Sequence, residues 1–110
     1  MENKIVKFKN DKFKKTRGGY SRWLLISCEK CKQSLLVYQK DGPGIVKRLY
    51  VDRIINPIPH GKNLICKKCS TLLGVLITYQ KEKRPAYRLF VGAIEKKIIN
   101  EGRLKKFVDL

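Results

Sequence analysis

The chain has 110 residues, 43% of them hydrophobic, and carries 26 Lys and Arg against 9 Asp and Glu, for a formal net charge of +17. This length allows one domain with tails, and its core is small enough for a metal crosslink to matter to its stability. No apolar run approaches the roughly 20 residues of a transmembrane helix. The charge favours a polyanionic partner, with nucleic acid ahead of an anionic lipid surface. The alternative is a lysine-rich composition that serves solubility alone.

Residues 1–19 form a basic segment in which Phe8 and Phe13 stand among lysines, and which ends in Gly18 and Gly19. The segment has no sustained apolar period, so we predict a flexible arm that is disordered alone and folds against a partner. A simple solvated tail is the alternative. The N-terminus also lacks the apolar stretch of a secretion signal, so we expect a cytoplasmic protein with reduced cysteines.

The body, residues 20–99, consists of short Val, Ile, Leu, Tyr and Phe runs separated by turn residues, a pattern typical of strands. The predicted strands cover residues 22–27, 34–40, 45–51, 63–65, 73–80 and 86–94. Residues 41–44 predict a turn, and the two prolines of residues 56–61 exclude a central strand there. Residues 94–99 continue as strand or begin a short helix. Residues 100–110 are a C-terminal tail, in which Gly102 argues against a long helix.

All four cysteines lie in two Cys-x-x-Cys pairs, Cys28 with Cys31 and Cys66 with Cys69. Thiolates two residues apart on a tight turn can reach one metal ion, and two such turns complete a tetrahedron of four sulfurs. Since no ligand position is left for water, we predict one structural Zn²⁺. Iron in a four-thiolate site is an alternative. Disulfides are disfavoured without an export signal, and a redox dithiol would need a single pair beside a βαβ pattern.

The two halves of the body resemble each other. The cysteine pairs are offset by 38 residues, the Tyr-Gln-Lys tripeptides at 38–40 and 79–81 by 41, and the Arg-Leu-aromatic-Val runs at 48–51 and 88–91 by 40. We predict an internal repeat with units at about 22–55 and 60–95, related by a pseudo-twofold axis and each giving one cysteine pair to a shared zinc. The predicted fold class is a small all-β protein with two antiparallel β-sheets clipped by the metal. Chance similarity among strands is the alternative, because few residue types suit them.

This layout resembles the β-tent group of zinc proteins, which includes Yippee-like domains, the ligand-binding domain of cereblon and the C-terminal domains of viral-RNA sensor helicases. The resemblance rests on the two cysteine pairs, the 34 residues between them and the repeated hairpins, and it covers roughly residues 20–95. It implies two sheets that share one structural zinc. It assigns no ligand-binding residue, because Trp23 is the only tryptophan and no tryptophan cage is present. A zinc ribbon is the alternative, although Lys32 and Ser70 stand where ribbons often carry glycine.

Aromatic and basic residues alternate on the predicted strands. Residues two apart share a face of a strand, so Tyr38 with Lys40, Arg48 with Tyr50, and Tyr79 with Lys81 can each stack a base and hold its phosphate. The alternative for each tyrosine is a half-buried strand residue. The alternative for the lysines of the cysteine turns is that they only compensate the negative charge of the metal site. The residues predicted to contact nucleic acid are Lys7, Lys9, Lys12, Lys14, Lys15, Arg17, Arg22, Lys30, Lys32, Arg48, Tyr50, Lys67, Lys68 and Arg88.

Residues suited to catalysis are scarce. The only histidine, His60, lies in a Pro/Gly loop and is expected at the surface, and no catalytic triad, carboxylate pair or phosphate-binding glycine loop can be assembled. We therefore predict a non-catalytic RNA-binding protein, ribosomal or ribosome-associated, that binds rRNA by charge and shape. RNA is favoured over DNA because no recognition helix is apparent. The alternatives are a β-tent module that recognises a protein or ligand, and a DNA-binding accessory of transcription or replication.

Overall fold

Two four-stranded antiparallel sheets form the protein, which confirms the predicted all-β fold class. The computed structural model describes residues 8–56, 59 and 61–108, so Lys7 and His60 lie outside the described part. The strands are β1 Ser21–Cys28, β2 Ser34–Asp41, β3 Arg48–Tyr50, β4 Ile54–Asn56, β5 Asn63–Ile65, β6 Leu72–Tyr79, β7 Arg84–Leu89 and β8 Ile94–Ile99. The first sheet has the order β4-β2-β1-β8 and the second the order β3-β7-β6-β5.

Three short helical segments accompany the sheets. They are α1 Lys12–Thr16, a 3₁₀ turn at Val51–Arg53, and α2 Glu101–Val108. Among the described helices, none has both the length and the apolar character needed to cross a membrane.

Each cysteine turn connects the two strands of a hairpin, and the two hairpins have the same pairing register. Ile26 lies opposite Leu36 in the β1–β2 hairpin, and Leu64 lies opposite Gly74 in the β5–β6 hairpin, at the constant offset of 38 residues. The pairing register of both hairpins also shifts at the same point, between the second and the first residue before the first cysteine of each pair. The similarity of the two halves therefore extends to the pairing of the hairpin strands. It does not extend to the tripeptides offset by 41, because the hairpin register places Tyr38 in the position of Leu76.

Beyond the hairpins, the chain departs from two self-contained units. The strand β3 leaves the first half to pair with β7, and β8 crosses back from the second half to pair with β1. Each sheet thus takes one strand from the other half of the chain. This exchange gives a partner to hairpin edges that would otherwise expose unpaired backbone groups. Both halves must therefore be present for either sheet to be complete.

Several predicted boundaries were wrong. The strand expected at 86–94 is two strands, since residues 90–93 form a turn in which Gly92 has a φ of 73°. The strand expected at 45–51 is only β3, and a 3₁₀ turn follows it. Residues 94–99 are strand, which leaves the helix to begin at Glu101. The strand β4 and helix α1 had no clear signal in the sequence.

The strand β1 is buried on both of its faces. Leu24 and Ile26 face the core that the two sheets enclose together with the cysteines. Trp23 and Leu25 face the other side, where α2 contributes Leu104. The ring of Phe8 stacks on Trp23 with centroids 4.3 Å apart, which closes this outer cluster.

The described part of the N-terminal segment lies against the sheets. Asp11 caps α1 by accepting the backbone N–H groups of Phe13 and Lys14. The backbone of Lys9 exchanges two hydrogen bonds with the buried side chain of Gln39. The segment therefore folds on the protein's own surface from Phe8 onward.

Candidate metal centre and its surroundings

Four sulfur atoms converge at one end of the two sheets. The Sγ atoms of Cys28 and Cys69 lie 3.7 Å apart, those of Cys31 and Cys66 lie 3.5 Å apart, and all four lie within 4.8 Å of one another. A tetrahedron with metal–sulfur bonds of about 2.3 Å has sulfurs about 3.8 Å apart. The cysteines are free rather than joined in disulfides. They could therefore bind one metal ion, and their number and spacing are consistent with zinc.

Each cysteine pair is held by the same backbone turn. The N–H of Cys28 donates to the carbonyl of Gln33, and the N–H of Lys32 donates back to the carbonyl of Cys28, both at 2.8 Å. The second turn repeats this arrangement between Cys66, Thr71 and Ser70.

The residue after each pair takes a left-handed conformation, with φ of 63° at Lys32 and 62° at Ser70. These are the positions where zinc ribbons often carry glycine. The turn geometry is thus present although its usual residue is absent.

The surroundings of Cys69 and Cys31 shift the pKa values of these two thiols in opposite directions. The hydroxyl and the backbone N–H of Thr71 donate to Cys69 Sγ, and they lower the pKa of this thiol to about 6. The backbone N–H of Gln33 also lowers the pKa of Cys31, but burial and hydrogen bonds to the other thiols raise it to about 11. A cation would favour all four thiolates by its own charge.

The site bridges the two sheets. Cys28 ends β1 of the first sheet, whereas Cys66 follows β5 of the second, and both side chains are fully buried. Cys31 and Cys69 are half-buried. A metal at this point would crosslink the two sheets.

The lysines of the cysteine turns are of two kinds. Lys30, Lys67 and Lys68 are exposed to solvent. Lys32 instead forms ion pairs with Glu29 at 2.9 Å and Glu95 at 3.2 Å. Three of the four predicted lysines of the metal end are therefore exposed and without a salt bridge among the described residues.

A network of ion pairs lies at the opposite end of the hairpins, and we call it the arginine network. It consists of Arg17, Arg53, Arg84, Asp11, Asp41, Asp52 and Glu82.

Arg53 is 1% exposed and forms ion pairs with Asp41 of β2 and Asp11 of the N-terminal segment. The Arg53 hydrogen bond is the main cause that lowers the pKa of Asp11 to about 2. Burial opposes the ionisation of Asp41, but hydrogen bonds from Ser21, Arg53 and Gln39 outweigh it and lower its pKa. This half of the network ties the N-terminal segment to the first sheet.

Arg84, on β7, carries the network into the second sheet. Its guanidinium contacts Asp52 at 2.7 Å and Glu82 at 3.0 Å, and Glu82 accepts a further hydrogen bond from Arg17. The same guanidinium lies 3.7 Å from the ring centroid of Tyr50. The network had no signal in the sequence, because its partners are common residue types brought together only by the fold.

The structure separates the predicted nucleic-acid residues by exposure. The exposed members are Lys9, Lys12, Lys15, Arg22, Lys30, Lys32, Lys67, Lys68 and Arg88. Lys14, Arg17 and Arg48 are half-buried, and Arg17 is engaged in the arginine network.

Tyr50 and Tyr38, which were predicted to stack on bases, have little surface exposed for it. Tyr50 is 7% exposed and covered by arginine side chains, and Tyr38 is 3% exposed, with its hydroxyl accepting the backbone N–H of Tyr50. Arg48 does share a face with Tyr50, as its side chain donates to the Tyr50 hydroxyl. Tyr38 and Tyr50 therefore belong to the packed interior, whereas Tyr79 is half-buried.

Comparison of the chain with protein-family models, with curated proteins and with solved structures finds no match. The assignment of a metal site therefore rests on the geometry of the four cysteines and on the two matching turns that present them.

Proposed function

We propose that this chain is a non-catalytic, zinc-stabilised RNA-binding protein of β-tent architecture, acting on rRNA as a ribosomal or ribosome-associated component. The observation that carries the proposal is where the acidic side chains lie. Four of the nine Asp and Glu residues are in the arginine network, and Glu29 and Glu95 pair with Lys32. Most of the acidic side chains thus form ion pairs within the protein, while most lysines face solvent. Such a surface binds phosphates by releasing their counterions.

Two groups of exposed lysines stand on ordered elements. Lys30, Lys67 and Lys68 lie on the cysteine turns, which a shared metal would fix relative to each other. Lys12 and Lys15 lie on α1, which Asp11 caps and anchors through Arg53. Ordered lysines lose less side-chain and backbone freedom on binding than lysines of a flexible tail. These two groups are therefore the best candidates for phosphate contacts.

Zinc is the metal that the donor set favours. Four cysteine sulfurs at tetrahedral spacing match a closed structural zinc site, with no position for a substrate or water. Backbone and hydroxyl donors to the second cysteine of each pair would stabilise the thiolates. The metal would therefore act on the fold and on the placement of the lysines.

RNA is preferred to DNA on the character of the helices. The helix α1 has five residues, and α2 buries Leu104 in the outer cluster next to Trp23. Neither helix resembles a free recognition helix that lies in a major groove. Exposed charge on an irregular surface suits the folded shapes of RNA.

The first test is the salt dependence of binding by the metal-loaded protein to an rRNA fragment. Each phosphate contact adds roughly 0.7 to 0.9 to the slope of log K against log salt. We expect Lys30, Lys67 and Lys68 changed together to alanine to reduce the slope. A control that changes Lys62, Lys81 and Lys97 removes the same charge from three other elements and should reduce it less. A flat slope, or equal losses in both variants, would contradict phosphate binding at the metal end.

A second test separates RNA binding from the ribosomal context. In a sucrose gradient of native lysate, we expect the protein to migrate with a ribosomal subunit and to stay with it at high salt. Migration in the light fractions even at low salt would exclude the ribosomal placement. Equal affinity for DNA of matched length would instead support the DNA-binding alternative.

A further inference from the structure

The strand β8 is an open edge of the first sheet. Among the strands that the structure describes, it pairs with β1 alone and is the last in the order β4-β2-β1-β8. Residues 95–98 are all exposed, and Ile98 has 58% of its surface in solvent. An exposed strand edge offers a row of backbone donors and acceptors to another chain.

The register tells which backbone groups of β8 are free. Just before the strand, the N–H of Glu29 donates to the carbonyl of Ala93. Backbone groups alternate in direction along an antiparallel strand, so those of Glu95 and Lys97 also face β1. The N–H and C=O groups of Ile94, Lys96 and Ile98 therefore point away from the sheet.

An open groove of about 700 Å³ lies beside this edge. Its lining includes Ile94 and Lys96 of β8, the segment 45–48 that leads into β3, and the turn 90–92. Phe90 is 46% exposed in this turn. The groove thus lies between edge strands of the two sheets and offers apolar surface to a ligand.

The charges in the groove have one sign. Lys47, Arg48, Arg88 and Lys96 line it, and no acidic residue is among the described residues of its lining. Arg48 and Arg88 are directly opposite on β3 and β7, an arrangement in which like charges repel. The Arg48 guanidinium lies 4.1 Å from the ring centroid of Tyr79, which holds it in place. An anion beside these two arginines would relieve their repulsion.

We propose that β8 and the groove bind an extended acidic peptide segment of a partner protein, which adds to the first sheet as a fifth strand. The free backbone groups of Ile94, Lys96 and Ile98 would pair with the peptide backbone. Alternate carboxylates of the peptide would meet Arg48, Arg88 and Lys96. This proposal does not depend on RNA binding, because Lys30, Lys67 and Lys68 are not among the residues that line the groove.

A peptide fits the groove better than single-stranded RNA does. Bases bind by stacking on aromatic rings, and Phe90 is the single aromatic residue among the described residues of the lining. The other apolar positions, such as Ile45, Val91 and Ile94, are aliphatic and suit peptide side chains. The free edge also offers donors and acceptors at the spacing of a strand.

The test uses the metal-loaded full chain and a short peptide that alternates glutamate with threonine. Amide hydrogen exchange followed by NMR should slow at Lys96 and Ile98 by about tenfold or more on binding, since these amides acquire acceptors. The amides of Lys97 and Ile99 already face β1 and should change little. A peptide with glutamine in place of glutamate should bind at least about tenfold more weakly at low salt. Unchanged exchange at Lys96 and Ile98 with bound peptide would overturn the proposal.

Two controls separate strand addition from general charge attraction. The double change Arg48→Gln and Arg88→Gln should weaken binding more than Lys67→Gln with Lys68→Gln, which removes equal charge from the metal end. If the arginine variant folds poorly, Lys96→Gln takes its place, and we expect it to weaken peptide binding to a smaller extent. N-methylation of alternate peptide residues should abolish binding without changing charge. Tight binding of a short single-stranded RNA that the arginine variant loses, with no amide protection by the peptide, would assign the groove to RNA and overturn the proposal.

Discussion

At the two ends of the hairpins, the same two sheets meet through side chains of different chemistry. At one end, two cysteines from each sheet converge within 4.8 Å. At the other end, the arginine network links Asp41 of the first sheet to Arg84 of the second through Arg53 and Asp52. A small core lies between the two ends. The protein therefore has a candidate metal site at one end of its core and an ion-pair network at the other.

The two ends differ in how much free energy they can contribute to folding. A four-thiolate site with a bound metal contributes folding free energy directly. The attraction within a buried ion pair barely exceeds the free energy needed to remove both charges from water. Removing one partner, however, leaves an uncompensated buried charge, which is strongly destabilising. The described part of the N-terminal segment forms its ion pairs at the arginine end. We infer that the metal end determines whether the domain folds, and that the arginine end determines whether the N-terminal segment stays docked.

The largest expected effect comes from the metal end. Cys66→Ser removes a buried ligand, and structural zinc contributes about 10 to 16 kcal/mol in small zinc domains, as much as a whole domain's stability of about 5 to 15 kcal/mol. We expect the variant to lose near-ultraviolet circular dichroism and cooperative melting. Wild-type protein stripped by a strong chelator should behave alike. A folded, metal-free chain would show that the core and the arginine network suffice.

A smaller loss is expected from Arg53→Met at the other end. This change leaves two carboxylates without their buried partner and should cost roughly 3 to 5 kcal/mol. Denaturant unfolding of the metal-loaded protein measures it. Arg22→Met, on an exposed residue of β1, is the matched control and should stay within about 0.5 kcal/mol of wild type. Similar values for the two variants would remove the arginine network from the account.

Asp11→Asn isolates one ion pair of that network. Asparagine keeps the helix cap but loses the charge next to Arg53, so we expect a loss of about 1 kcal/mol at neutral pH. Because folding lowers the pKa of Asp11 to about 2, its stabilisation is complete above about pH 4 and disappears as the pH falls toward 2. NMR titration of the carboxyl carbon checks the pKa. An ordinary pKa near 3.8 would mean that Asp11 does not meet Arg53 in solution.

The smallest effect should come from the cysteine turn itself. Ser70 has a φ of 62°, a conformation that costs a residue with a side chain roughly 1 to 2 kcal/mol. Glycine relieves this strain but loses about 0.5 to 1 kcal/mol through its greater freedom in the unfolded chain. Ser70→Gly should therefore stabilise the metal-loaded protein slightly, by no more than about 1 kcal/mol. A clear loss of thermal stability would indicate that the Ser70 side chain has a role of its own.

The two ends also differ in how far the sequence predicts them. Each cysteine pair lies within four consecutive residues, so its spacing alone indicated the turn and the metal site. Arg53 lies 42 residues from Asp11 and 12 from Asp41, and nothing local distinguishes it from other arginines. The crossing of β8 to β1 was missed for the same reason, since strand alternation describes a face but not a partner. The burial of Tyr50 under Arg84 likewise depends on contacts between distant segments.

The most direct test of the shared metal centre is X-ray absorption spectroscopy of protein purified from cells, combined with the metal content per chain. We expect one zinc per chain, surrounded by four sulfurs at about 2.3 Å. Such a result requires that Cys28, Cys31, Cys66 and Cys69 meet at one ion and therefore that the two sheets are joined there. Nitrogen or oxygen ligands in place of sulfur, or purified folded protein without metal, would contradict the account.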